Sequence, residues 1–169
     1  MNKNKDRIFQ LIGRLTIQFA TMEHRLQGLL ETLMGDGHTL VTPLFIHNMP
    51  FANLLQKIRL LAPCMISNDS QLLSDLERSI RRINELREER NLLIHGDWKI
   101  ENSNSSRIVV RDFKMKYDQG IWQEFSETIF TEKKLTSLIH HMEGLGSEVD
   151  YIVRRLEEIP ITAKNCDNK

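Results

Sequence analysis

From about Lys5 to Met34 the apolar residues fall on two interleaved rows: Ile8, Leu15, Met22 and Leu29 form one, and Ile12, Phe19, Leu26 and Leu33 the other. The steps alternate between four and three residues, the spacing of a helix whose seam packs in a bundle. At that length the helix is a rod of about 45 Å. Its apolar stripe has to be covered, so the rest of the chain must supply partner helices. Gly13 and Gly28 each weaken the helix by about 1 kcal/mol relative to alanine, as close-contact points or as tolerated positions. Gly35-Asp36-Gly37 ends it.

The partners follow in order. A connector from His38 to Pro50 is punctuated by Pro43 and Pro50. Phe51, Leu54, Leu55, Ile58, Leu61 and Ala62 recur at helical spacing, and Pro63 is expected to end this short helix. Asn68-Asp69-Ser70 supplies N-cap chemistry for a long third helix. Its apolar row is Leu72, Leu76, Ile83, Leu86 and Leu93, flanked by Leu73, Ile80 and Ile94, and Gly96 is its stop. The stretch 97–130 alternates instead, with Val109, Arg111, Phe113, Met115 and Tyr117 on one face. That pattern predicts strands, with Trp98 and Ile100 in an earlier strand, turns at 102–106 and 118–120, and a third strand within 121–130. Thr131 then caps a last helix with Leu135, Leu138, Met142, Leu145, Val149, Ile152, Leu156 and Ile159 on its seam. Gly144 and Gly146 mark a kink or a close contact, and Pro160 is the stop. The reading is a mainly α chain: an up-and-down four-helix bundle with a small antiparallel β-meander inserted before the last helix. One domain spans 1–160, and 161–169 is a disordered tail.

Composition narrows the setting. Of 169 residues, 40% are hydrophobic and 27% charged, as in globular proteins, and 23 basic residues balance 23 acidic ones. No global basic field draws nucleic acid, so any such contact must be local. Cys64 and Cys166 are far apart with no CxxC, which points to free thiols in a reducing, cytoplasmic compartment. No apolar run approaches membrane-spanning length, and Arg14 interrupts the run behind the basic N-terminus, a poor signal peptide.

The chemistry concentrates at the end of the third helix. Arg90 falls between Leu86 and Leu93 on the core side, where a charge needs a carboxylate, a phosphate or a route to solvent. Glu23, on the seam side of the first helix, is a carboxylate partner, and a structural Arg–Glu pair is the plainest reading. His95 comes five residues later, about 140° further round an unbroken helix. Gly96 is expected to fray that terminus and let the imidazole turn. Arg78, Arg81, Arg82 and Arg87 interleave with glutamates at helical spacing, either as a solvated face of i, i+4 pairs or as a rim for RNA. His140 and His141 are adjacent and point to different faces, which does not suit a metal pair, and His24, His38 and His47 lack trusted ligand spacing. No phosphate-cradling glycine loop and no nucleophile elbow is present.

Arg90-Asn91-Leu92-Leu93-Ile94-His95 resembles the Arg-polar-x-x-x-His motif of the HEPN (higher eukaryotes and prokaryotes nucleotide-binding) superfamily. Its members are α-helical bundles, many of them metal-independent endoribonucleases of toxin–antitoxin and phage-defence systems. The resemblance covers this hexapeptide and the bundle architecture. It implies an endoribonuclease without metal or other cofactor, acting on RNA as a homodimer with a composite cleft, with a cognate antitoxin or neighbouring-gene protein as a further partner. Arg90 and His95 would be catalytic. Asn91 would orient phosphate or ribose, Glu23 would fix Arg90, and Arg87 and Asp97 would support the site. One toxin branch has a tyrosine two residues after the histidine, where this chain has Asp97. The family also has inactive members, which leaves a second expectation: a non-catalytic helical dimer serving as a protein-binding or regulatory module.

Overall fold

A computed structural model of the chain describes residues 3–35, 45–99, 107–112, 117–118, 121–122 and 126–158. It is mainly helical, with a small antiparallel sheet before the last helix. The elements run α1 (Lys3–Met34), α2 (Phe51–Met65), α3 (Ser70–His95), β1 (Asp97–Lys99), β2 (Arg107–Asp112), β3 (Tyr117–Asp118), β4 (Ile121–Trp122), β5 (Ser126–Thr131) and α4 (Glu132–Glu158). The chain divides into two compact units. The first comprises Met1–Gln18 with Glu85–His141, and the second Phe19–Asn84 with Met142–Lys169. The three long helices contribute a stretch to each. Helices of 32, 26 and 27 residues are about 39–48 Å long, and each stretch buries its own part of the stripe.

Both rows of α1 are buried along their whole length, from Ile8 to Leu33. The seams of α3 and α4 are buried as the spacing requires, Ile159 and Pro160 excepted, since they lie outside the described residues with the tail. Gly35 closes α1 with φ +73° and donates its N–H to the Glu31 carbonyl. Asp36, Gly37, His38 and Pro43 lie outside the described residues.

Asp69 caps α3, its Oδ1 accepting the Leu72 N–H at 2.9 Å. Thr131 caps α4, its Oγ1 accepting the Lys134 N–H at 3.1 Å. Pro63 departs from expectation, because α2 continues through it to Met65. Proline there lacks only the N–H that would have met the Arg59 carbonyl. Arg59 and Pro63 are both exposed, so water can satisfy that carbonyl. The Ile66 N–H still reaches the Ala62 carbonyl at 2.8 Å, which closes the last turn.

In the second unit, Arg25 holds Asp150 through Nε, at 3.0 and 3.1 Å to its two oxygens. Gly146 admits this arrangement, since a Cβ there would lie 2.6 Å from Arg25 Nη1. It is therefore the close-contact site, whereas Gly144 faces open space and α4 runs unbroken through both. Gly13 and Gly28 likewise touch nothing a Cβ would meet and are simply tolerated.

In the first unit the sheet order is β1-β2-β5, all antiparallel, with Trp98 opposite Val110 and Ile108 opposite Phe130. The expected alternation is not clean, because Ile108, Val109 and Val110 are all buried: both faces of β2 are covered there. β3 and β4 pair separately, Asp118 opposite Ile121. Asp118, expected in a turn, is the last residue of β3, and 102–106, 113–116 and 119–120 lie outside the described residues.

Replacing Asp69 with alanine removes the α3 cap and is expected to lower stability by about 1 kcal/mol. Asp69→Asn keeps an accepting oxygen and should stay within a few tenths of the parent, measured by denaturant unfolding. The exposed Arg155–Asp69 pair at 3.6 Å adds little to either value.

Candidate active site

α3 stays regular to its end. The Gly96 N–H donates to the Leu92 carbonyl at 2.9 Å, so helical bonding extends past His95. The frayed terminus expected from Gly96 is absent for a geometric reason. A Cβ at Gly96 would collide with Val110 Cγ1 and lie 2.6 Å from the Leu92 oxygen and 2.9 Å from the Arg111 oxygen. The glycine is needed because β2 passes directly over it, and its φ is not in the left-handed region. Trp98 secures the same junction, its Nε1–H donating to the Leu93 carbonyl at 2.6 Å. That bond satisfies one of the terminal carbonyls that every helix leaves open. The indole also stacks on Phe9 of α1, centroids 6.2 Å apart and planes 21° from parallel.

Because α3 is regular, the Arg90 and His95 backbone positions are about 140° apart round the axis. The Arg90 guanidinium makes up part of that angle. It is half-buried, and Nη1 donates to Asn91 Oδ1 at 3.2 Å. Asn91 stands one turn before His95, at i, i+4, where side chains are neighbours. Arg87 stands one turn before Asn91 on the same flank. Arg87, Asn91 and His95 therefore form a polar stripe, and Arg90 leans onto its middle member. The exposed imidazole ends the stripe at the lip of the sheet. Spacing could have revealed Arg87–Asn91–His95, whereas the lean of Arg90 is a matter of rotamer and could not have been read.

The neighbouring acids are engaged. Glu88 lies 3.6 Å from Arg87 Nη2, whose side chain is 23% exposed. Glu89 pairs with Lys134 of α4 at 2.8 Å. Asp97 is exposed on the edge strand β1, in register with Arg111, which itself pairs with Glu127 at 2.8 Å. Asp97 thus flanks the end of the stripe and is not part of it. Glu23, half-buried on α1, belongs to the second unit and Arg90 to the first. Within its own unit the guanidinium is oriented by Asn91.

The other candidates lie elsewhere. His24 Nδ1 lies 3.1 Å from Gln27 Oε1. His47, His140 and His141 are exposed, and His38 lies outside the described residues. Arg78 pairs with Asp75, three residues before it, and Arg82 with Glu148 of α4. The cross-helix partner shows that these arginines are more than a ladder of i, i+4 pairs along one helix. Among the described residues no group of three His, Cys, Asp or Glu could hold a metal ion, and no helix is long and apolar enough to cross a membrane. No family model, curated protein or solved structure matches the chain.

Gly96→Ala should force β2 off the end of α3, since two of the three obstacles are backbone oxygens that cannot rotate away. The expected cost is about 1–3 kcal/mol, read as a lower unfolding midpoint, with faster hydrogen exchange at the β1 and β2 amides.

Proposed function

We propose that this protein is a metal-independent endoribonuclease of HEPN type, working in the cytoplasm as a homodimer, in a toxin or phage-defence role alongside a cognate antitoxin or neighbouring-gene protein. The observation that supports it best is the Arg87–Asn91–His95 stripe with the Arg90 guanidinium drawn onto it by Asn91. A cation and an imidazole on one flank of one helix are two of the groups that RNA cleavage by its own 2′-hydroxyl uses.

A base takes the proton from the 2′-oxygen, which attacks the adjacent phosphorus. The P–O5′ bond breaks, and an acid protonates the departing 5′-oxygen, leaving a 2′,3′-cyclic phosphate and a 5′-hydroxyl. Imidazole serves as either acid or base near neutrality. Guanidinium holds the crowded phosphate oxygens through paired hydrogen bonds and stabilises charge developing on them. The Asn91 amide bonded to Arg90 keeps that cation at the stripe and has N–H donors of its own for phosphate or ribose. One stripe offers one histidine for two proton transfers. Two copies related by a two-fold axis supply the second imidazole and a second guanidinium.

His95→Ala is expected to slow cleavage of single-stranded RNA in chelator by about 10²–10⁴-fold, and Arg90→Ala by about 10²–10³-fold. Circular dichroism and melting should remain those of the parent. Products from the parent should end in a 2′,3′-cyclic phosphate. Cleavage by either variant at the parental rate would sink the assignment, and so would cleavage that stops when divalent metal is chelated.

A further inference from the structure

Away from the α3 terminus, the second unit holds an open groove of about 420 Å³ between α3 and α4. That volume lies within the range of about 300–1,000 Å³ typical of small-ligand sites. Asp75, Arg78, Ser79 and Arg82 line one wall, and Glu148 and Tyr151 the other. The four α3 residues recur at i, i+3, i+4 and i+7, so a single flank of the helix builds that wall.

Hydrogen bonds tie the two walls together. Ser79 is buried and donates Oγ–H to Glu148 Oε2 at 2.7 Å, while Glu148 Oε1 accepts Arg82 Nη1 at 3.0 Å. Arg78 is held by Asp75. Glu148 and Asp75 therefore position the two guanidiniums one turn apart without saturating them. A guanidinium has five N–H donors, and each of these has one hydrogen-bonded carboxylate among the described residues. The side chains remain 60% and 45% exposed, and Tyr151 beside them is 52% exposed.

Two half-exposed arginine side chains lining one groove with a half-exposed aromatic ring match the recognition elements of single-stranded nucleic acid, with phosphate on arginine and base on the π-face. The carboxylates refine the choice of ligand. They raise the cost of a dianionic phosphomonoester more than that of a phosphodiester, which has one negative charge per phosphate. We propose that the α3–α4 groove binds one nucleotide step of single-stranded RNA, its phosphodiester on Arg78 and Arg82 and its base stacked on Tyr151. This rests on RNA being the substrate, and it adds a docking site that does not itself perform cleavage.

The test is fluorescence anisotropy of labelled single-stranded oligouridylate RNA with the full chain in a His95→Ala background, so that affinity is read without cutting. Tyr151→Ala should weaken binding by about 5- to 100-fold, the range of one lost base stack, while Tyr151→Phe keeps the ring and stays within about twofold. Arg78→Gln should weaken binding and lower the slope of log affinity against log salt by about 0.7, one phosphate contact on a single strand. A merely structural arginine would leave that slope unchanged. Inorganic phosphate should compete poorly. Parental affinity and salt slope in Tyr151→Ala and Arg78→Gln would overturn the proposal, as would strong competition by inorganic phosphate or a phosphopeptide, or no RNA binding at all. Failure here is separable from failure of the nuclease reading. RNA held in the groove yet never cut by the parent removes only the nuclease, whereas RNA cut normally and bound normally by the groove variants removes only the groove.

Discussion

The first unit depends on how closely β2 approaches the end of α3. Only a residue without a Cβ fits between the Leu92 and Arg111 oxygens, and that contact sets where the helix stops and where the sheet begins. Three consequences follow. The last turn stays helical, with the Gly96 N–H on the Leu92 carbonyl. Trp98 is brought back within 2.6 Å of the Leu93 carbonyl, so a terminal acceptor that water would otherwise take is closed by an indole donor. His95 is left exposed at a helical terminus, its backbone angle relative to Arg87 and Asn91 set by the helix.

Much of this architecture is legible in the sequence, and the reason is burial. Rows such as Ile8–Leu15–Met22–Leu29 register in the pattern because water penalises any other orientation, and each of those side chains is buried. Capping is equally local, and Asp69 and Thr131 do what their residue types suggest. Information fails where an outcome depends on a distant neighbour. Gly96 marks the helix end, but what makes it glycine is Val110 and Arg111 on a strand whose register the sequence does not reveal. Pro63 reads as a stop, yet an exposed last turn tolerates a missing N–H. Ile108, Val109 and Val110 hide their alternation because both faces of β2 are covered there.

The candidate site divides in the same way. Arg90 and His95 stand out as residue types, and Asn91 and Arg87 are within reach of i, i+4 spacing. The Arg90 rotamer is beyond it. Its guanidinium meets the amide of the next residue, a contact set by side-chain torsions that spacing does not carry.

Charge balance limits how a polyanion can be recognised. With 23 cations and 23 anions, the protein has no long-range field to concentrate a polyanion, and surface ion pairs lose strength with salt. Discrimination must come from where individual pairs are placed. At the end of α3, Glu89 is taken up by Lys134 and Glu88 by Arg87, so the acids nearest Arg90 in sequence are engaged with other cations. In the α3–α4 groove the acids do the opposite: Glu148 and Asp75 hold their arginines in place and leave about half of each arginine side chain exposed. Arg78 and Arg82 stand at i, i+4, where like charges repel by a few tenths of a kcal/mol. A phosphodiester between them relieves that repulsion without displacing either carboxylate, an advantage a neutral ligand would not have.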